Sequence, residues 1–126
     1  MKEEERGLFI IKPDAIRMGE YLPAFRKIYF NGLDIEEEVR FCFTPESVQE
    51  FYADKQDHLS QYWEGYLTTM PSIALIVVGQ ECNRKLKEIR NSLRQEYGHD
   101  NFYTGTHCSD SEEEADREIG IIKRKQ

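Results

Sequence analysis

The run Ile73-Ala74-Leu75-Ile76-Val77-Val78 is the longest apolar stretch of the chain, and the predicted fold is organised around it. Its residues do not alternate between apolar and polar, as the residues of a strand with one solvated face do. The run therefore predicts a central β-strand that other elements cover on both faces. It is far too short to cross a bilayer, which takes roughly 20 apolar residues.

The segments on either side of this run alternate between strand and helix patterns. Leu8–Ile11 predicts a strand that ends near Lys12, because Pro13 cannot continue it. Elsewhere, apolar residues three and four apart predict helices. The predicted order is a strand at 8–11, a helix at 20–31, a strand at 33–43, helices from 45 and at about 59–69, the central strand, a helix at about 84–97, a strand or extended loop at 101–107, and a helix from 112.

In the second predicted strand, the apolar residues all have odd numbers. Residues two apart lie on the same face of a strand, so this pattern predicts a long strand with one buried face. Glu37 interrupts the pattern, which indicates a β-bulge or an exposed strand end. The apolar residues are Leu33, Ile35, Val39, Phe41 and Phe43.

The order of elements favours an α+β fold. Two β-α-β halves in 126 residues predict a ferredoxin-like sandwich, in which helices pack on a four-stranded antiparallel sheet. The length suits one domain, so we interpret residues 1–126 as a single domain, whether whole or cut from a longer protein. A flavodoxin-like parallel sheet is the alternative. It ranks lower because no glycine-rich phosphate loop joins a strand to a helix.

The net charge and the cysteine pattern indicate which binding partners and which cellular compartment to expect. The net charge of −7 argues against sequence-independent binding to nucleic acid or to an anionic membrane. Cys42, Cys82 and Cys108 are widely spaced and give neither a disulfide framework nor a zinc motif. A reducing, cytoplasmic compartment is therefore expected, and the charged start of the chain has no apolar signal-peptide region.

The stretch Thr106-His107-Cys108-Ser109-Asp110-Ser111 places an imidazole just before a predicted helix start. Ser111 suits the N-cap, and Glu114 would complete a capping box. Glu118 lies at the edge of the apolar helix face, where a carboxylate needs a partner. An imidazole N–H is a natural partner for this carboxylate, and the hydrogen bond would leave the other ring nitrogen free as a nucleophile. A surface histidine beside a capped helix is the alternative.

Several segments together resemble the nucleoside diphosphate kinase family, and they are collinear from about Arg6 to Ile122. The run from Ser92 to Asp100 most resembles a divergent group found in cilia and fused to thioredoxin domains, which adds a ciliary location to the cytoplasmic expectation. The segments are Ile11-Lys12-Pro13-Asp14-Ala15, Phe51-Tyr52, Ser92-Leu93-Arg94, His107-x-Ser109-Asp110-Ser111 and Arg117-Glu118-Ile119.

The resemblance implies a phosphotransfer reaction. His107 matches the histidine that accepts the γ-phosphate of a nucleoside triphosphate and passes it to a nucleoside diphosphate, and Glu118 matches the carboxylate that holds that histidine. The implied cofactor is Mg²⁺, bridged by the nucleotide phosphates and not by a metal site of the protein. Phosphoryl transfer needs positioning and charge neutralisation more than covalent chemistry from the protein.

The resemblance also implies a set of nucleotide-binding residues. Lys12, Tyr52 and Arg94 match residues that contact the phosphates and the region of the transferred group. Lys87 matches, without gaps, an arginine near the phosphates, although lysine lacks the bidentate fork of arginine. Thr104 matches the asparagine that contacts the ribose.

Departures from the family pattern leave a second hypothesis open. Cys108 follows the histidine where the family has glycine, and Ser60 replaces the phenylalanine that stacks on the base, with Tyr62 or Trp63 as substitutes. The segment between the central strand and Ser92 is shorter than in the family. We favour a nucleoside diphosphate kinase that binds nucleotide weakly. The alternative is a catalytically weak or inactive kinase-like domain that acts as a nucleotide-sensing or protein-interaction module. Self-association and fusion to other domains stay open for both hypotheses.

Overall fold

The computed structural model describes residues 4–51, 67–98 and 105–124. The strands in this part of the chain are β1 (Glu5–Ile11), β2 (Asp34–Phe41), β3 (Ser72–Gly79) and β4 (Thr106–Cys108). The helices are α1 (Pro13–Arg17), α2 (Tyr21–Phe30), α3 (Pro45–Phe51), α4 (Cys82–Tyr97) and α5 (Glu112–Arg124). None of these helices is long and apolar enough to cross a membrane.

The strands form one antiparallel sheet in the order β2-β3-β1-β4. The predicted central strand is β3, which pairs with β2 on one side and with β1 on the other. Its residues are buried almost throughout, as the unbroken apolar run predicts. The predicted fold class, an α+β sandwich with helices on a four-stranded antiparallel sheet, is confirmed.

Helices cover both faces of the sheet, and strand β1 shows the division. Leu8 and Ile10 point to the face under α3 and α5, here called the α5 face. Phe9 and Ile11 point to the opposite face under α2 and α4, here called the α4 face. This alternation follows from the pleat of the strand, in which successive side chains lie on opposite sides. Each face therefore has its own buried core.

The β-bulge anticipated at Glu37 is present, but the predicted single buried face of β2 is wrong. The pairing of β2 with β3 shifts register between Ile35 and Glu37. An extra residue on one strand turns the following side chains to the other face. Leu33 and Ile35 accordingly pack on the α4 face, whereas Val39 and Phe41 pack on the α5 face.

The short helix α1 was missed by the sequence analysis, which predicted only that the strand ends near Lys12. Lys12 has an extended backbone and serves as the N-cap, and Pro13 occupies the first helical position. Proline is favoured there because its fixed φ suits a helix and its missing N–H is not needed. The chain therefore turns directly from β1 into a helix, and this turn keeps Lys12 at the end of the strand.

Helix α2 buries Ala24 and Ile28 in the core, whereas its Leu22 and Tyr29 are more than half exposed. Of the helix predicted at 59–69, only residues 67–69 lie in the described part of the chain, and those are helical. Helix α4 ends at Gly98, which adopts the left-handed conformation expected of a C-terminal glycine.

Candidate active site

Strand β4 holds His107 against β1 at one edge of the sheet. His107 pairs with Ile10, and Cys108 pairs with Phe9. Because paired residues point to the same side of a sheet, the His107 side chain shares the α5 face with Ile10. This strand has only three residues, so a few backbone bonds fix the position of the histidine.

The chain leaves β4 and enters α5 through the capped turn that the sequence predicted. The Ser111 hydroxyl accepts a hydrogen bond from the Glu114 backbone N–H at 3.1 Å, which confirms Ser111 as the N-cap. The Glu114 carboxylate accepts from the N–H of Asp110 at 3.0 Å, one residue before the donor of a standard capping box. The cap fixes the start of α5 relative to β4.

The contact predicted from helix spacing joins His107 to Glu118. Nε2 of His107 lies 3.2 Å from Oε1 of Glu118. The carboxylate is nearly buried, with 3% of its side chain exposed, whereas the imidazole retains 14%. A carboxylate accepts hydrogen bonds, so the proton of the neutral ring belongs on Nε2 and the lone pair on Nδ1. The ring edge also packs against Phe51, at 5.0 Å between centroids.

Arg117 links the end of α3 to Glu118. Its guanidinium donates to the carbonyl oxygens of Glu50 and Phe51 at 3.2 and 3.3 Å. The same guanidinium lies 3.8 Å from the second carboxylate oxygen of Glu118. In the sequence, Arg117 stands out only as part of the Arg117-Glu118-Ile119 motif. The favourable contact of a cation with C-terminal helix carbonyls could have indicated its position once α3 and α5 were known to pack together.

Lys12 and Arg94 both contact the β4 segment, although they come from different directions. The Lys12 backbone N–H donates to the carbonyl of Gly105 at 2.9 Å, and the residue is only 6% exposed. Lys12 follows Ile10 by two positions along extended backbone, so its side chain emerges on the face of His107. Arg94, on α4, donates to the carbonyl of Thr106 at 3.3 Å. Two cationic residues thus lie beside the histidine strand.

Lys87 contacts the turn that follows His107. Its ammonium pairs with the carboxylate of Asp110 at 3.0 Å, where both side chains are about half exposed. The match of Lys87 to a family arginine assumed no gap in a segment that is shortened here, and α4 runs without interruption through it. Tyr52, Ser60, Tyr62, Trp63 and Thr104 lie outside the described residues, so their roles stay predictions.

Cys108 takes the place of the family glycine without an unusual backbone conformation. It lies in β4 and is 2% exposed, in the core of the α4 face with Phe9. Burial raises the pKa of its thiol, which keeps the thiol protonated at neutral pH. A side chain after the histidine is therefore accommodated by the core below it, on the face of the sheet opposite to His107.

The described residues provide no cluster for a resident metal ion. Within 4–51, 67–98 and 105–124, no group of three or more His, Cys, Asp or Glu side chains is placed to hold one. The described site consists of the imidazole, the buried carboxylate and the neighbouring cations. An imidazole with one nitrogen held by a carboxylate can act as a nucleophile or as a general base through the other nitrogen.

Comparison with known proteins identifies the family. The family model "Nucleoside diphosphate kinase" matches residues 5–126. The nucleoside diphosphate kinase of Aquifex aeolicus is 30% identical over 94% of this chain and 93% of its own length. A crystal structure of the Aquifex aeolicus enzyme superposes with a TM-score of 0.83 at 28% identity, covering 95% of each chain. A thioredoxin domain-containing protein 3 homologue from Ciona intestinalis is 27% identical over 90% of this chain but only 20% of its own length.

This chain belongs to the nucleoside diphosphate kinase family, as its sequence motifs indicated. The family is one of enzymes, which agrees with the preferred hypothesis and does not favour an inactive module. The match to a thioredoxin domain-containing protein also agrees with the resemblance of the Ser92–Asp100 run to that group.

Proposed function

We propose that this protein transfers the γ-phosphate of a nucleoside triphosphate to a nucleoside diphosphate through a phosphohistidine at His107. The observation that carries the proposal is the hydrogen bond between Nε2 of His107 and the nearly buried Glu118 carboxylate. It supports Nδ1 as the nucleophile, because the carboxylate keeps the ring proton on Nε2. Membership of the nucleoside diphosphate kinase family supports the same chemistry.

In the first half-reaction, the lone pair of Nδ1 attacks the γ-phosphorus. The bond between that phosphorus and the β–γ bridging oxygen breaks, a P–N bond forms, and the nucleoside diphosphate leaves with the bond electrons. The ring keeps its proton on Nε2 and gains positive charge, which Glu118 stabilises from 3.2 Å. In the second half-reaction, a terminal oxygen of another nucleoside diphosphate attacks the phosphorus, and Nδ1 recovers its lone pair.

Negative charge on the transferred group needs cations nearby. Lys12 and Arg94 are candidates among the described residues. The backbone of Lys12 is hydrogen-bonded to Gly105, and the guanidinium of Arg94 contacts the carbonyl of Thr106. We expect Mg²⁺ to arrive with the substrate, bound to its phosphates. Tyr52 and Thr104 complete the proposed nucleotide contacts on the strength of the sequence alone.

The proposal is tested by incubating the protein with γ-labelled ATP and Mg²⁺. We expect an acid-labile, base-stable phosphoprotein, and loss of the label on addition of a nucleoside diphosphate. His107→Ala should abolish labelling. The chain offers matched controls in its other two histidines, His58 and His99, whose alanine variants should label normally. Label that persists in His107→Ala, or that disappears in either control instead, would assign the nucleophile elsewhere.

A further inference from the structure

Asn83 lies at the start of α4 and is only 5% exposed, yet every polar group of its side chain has a partner. Its side-chain amide donates to Oε1 of Glu5 at 3.3 Å and to the carbonyl of Arg6 at 3.2 Å. Its carbonyl oxygen Oδ1 accepts a hydrogen bond from the hydroxyl of Ser109. The amide therefore joins the first residues of β1 to the segment that follows His107.

Ser109 follows the last residue of β4 and bonds β1 through both its backbone and its side chain. Its backbone N–H donates to the carbonyl of Leu8 at 3.0 Å. Its hydroxyl accepts from the N–H of Leu8 at 3.0 Å, so the side chain supplies the acceptor that a backbone carbonyl supplies within a sheet. Because the hydroxyl accepts from Leu8, its own proton is directed to Asn83. Ser109 is fully buried, so water cannot replace either partner.

This network lies at the junction that sets the geometry of the proposed site. His107 precedes Ser109 by two residues, and α5, which carries Glu118, begins three residues after it. Strand β4 is short and pairs only with β1 among the described strands. The bonds of Ser109 to Leu8 therefore extend the pairing of β4 up to the turn into α5.

We infer that Asn83 is a positioning residue for the His107–Glu118 pair, acting through Ser109. Asn83 touches neither side chain of the pair. It fixes the rotamer of the Ser109 hydroxyl, the hydroxyl fixes the end of β4 on β1, and that end fixes the distance between the imidazole and α5. No sequence pattern marks Asn83, because only the packing of α4 over β1 brings it to Ser109. The expected effect of Asn83 on the rate of phosphotransfer rests on the proposed function, whereas its expected effect on the tautomer of the His107 ring does not.

The test uses the full chain with Asn83→Leu, whose side chain has the same branching and the same number of heavy atoms but cannot accept the hydrogen bond. The first readout is ¹⁵N NMR of the His107 ring at alkaline pH, where the neutral ring shows which nitrogen carries the proton. We expect the wild-type proton on Nε2 and a mixture of the two tautomers in the variant. The second readout is the single-turnover rate of labelling by γ-labelled ATP, which should fall about tenfold, as expected for one lost hydrogen bond.

A matched control separates positioning from general loss of stability. Cys82→Ala removes a buried side chain from the preceding residue of the same helix, and the Cys82 thiol contacts the carbonyl of Val77, not Ser109. It should lower the stability of the protein while leaving the ring tautomer and the labelling rate within about twofold of wild type. If Asn83→Leu does not fold, Asn83→Ala removes the same acceptor without the apolar side chain.

The outcomes are distinct. A ring spectrum unchanged in the Asn83 variant, or changed equally in Cys82→Ala, overturns the positioning role. A changed spectrum in the Asn83 variant alone supports that role. If wild-type protein takes up no label, the proposed phosphotransfer fails, and the ring spectrum still decides whether Asn83 positions His107.

Discussion

Nε2 of His107 and Oε1 of Glu118 lie 3.2 Å apart, on two elements that one short turn connects. The carboxylate is almost completely buried, while the imidazole remains partly exposed. Burial of a carboxylate is unfavourable unless the group is paired, and both oxygens have cationic or hydrogen-bonding neighbours in His107 and Arg117. The buried Glu118 carboxylate therefore contributes more directly to holding the His107 ring than to the stability of the fold.

Glu118→Gln should slow the phosphorylation of His107 without unfolding the protein. A glutamine fills the same space, but it cannot stabilise positive charge on the ring, and it can offer Nε2 either its oxygen or its NH₂ group. A hydrogen bond to a charged group is worth about 1.5–3 kcal/mol, so the single-turnover rate should fall about ten- to hundredfold. Rapid-quench labelling with γ-labelled ATP measures it, and circular dichroism checks the fold.

Glu114→Gln is the matched control for that experiment. Glu114 lies on the same helix, but its carboxylate bonds the backbone of Asp110 at the helix start. The control should cost some stability and leave the labelling rate nearly unchanged. Equal rates for wild type and Glu118→Gln would show that the carboxylate has no part in the transfer.

The chemical centre of the site was accessible from sequence because it is local. His107 and Glu118 are separated by one capped turn and two turns of helix, and helical periodicity places Glu118 on the edge of the apolar face of α5. Asn83 and Arg117 were not accessible in the same way. Asn83 meets Ser109 and Arg117 meets the end of α3 only after the helices have packed on the sheet, and no periodicity along the chain encodes such contacts.

The strand β2 shows a different limit of sequence reasoning. The parity of Leu33, Ile35, Val39 and Phe41 is real, yet the bulge divides them between the two faces of the sheet. Glu37 indicated a bulge, but the sequence does not say whether the partner strand opposes one residue or two at that point. The prediction of one buried face failed because a parity rule holds only while the register is unbroken.

Gly7→Ala should destabilise the protein. A β-carbon at residue 7 would lie 2.7 Å from Cδ1 of Leu86 and 2.9 Å from both Oδ1 of Asn83 and Sγ of Cys82. Helix α4 would have to move away from β1, and such overpacking typically costs about 1–3 kcal/mol. Urea unfolding measures the change. Gly120→Ala is the control, because a β-carbon there meets nothing within 4 Å; it should stabilise α5 by about 0.5–1 kcal/mol.

Removal of two buried hydroxyl groups, one on each side of His107 in the sequence, should change the free energy of unfolding in opposite directions. The Thr106 hydroxyl is buried without a hydrogen-bond partner in the described part of the chain, so Thr106→Val should raise the free energy of unfolding by about 1 kcal/mol. The Ser109 hydroxyl has two partners, so Ser109→Ala should lower it by about 1–3 kcal/mol. Chemical denaturation of both variants gives the comparison. A Thr106→Val protein that is less stable than wild type would indicate that the hydroxyl has a partner.

The free energy of unfolding should decline at alkaline pH, with Cys82 as a main cause. Burial in the core raises the pKa of the Cys82 thiol from an ordinary value of 9.0 to about 12. Above pH 9 the unfolded chain loses this proton while the folded protein keeps it, so unfolding becomes more favourable as the pH rises from about 9 towards 12. Each such group contributes up to about 1.4 kcal/mol per pH unit. Cys108 contributes in the same direction, since burial raises its pKa as well.

Urea titrations across this pH range measure the decline in wild type and in variants. Cys82→Ala should be less stable at neutral pH but should lose less stability on going to alkaline pH, because it has no thiol to ionise in the unfolded chain. Cys42→Ala serves as the matched control, since it removes an exposed thiol in place of the buried one. Parallel curves for wild type and Cys82→Ala would contradict the assignment. The decline would then belong to other acids such as the partly buried Tyr21, whose pKa desolvation and the hydrogen bond to Glu38 raise to about 12.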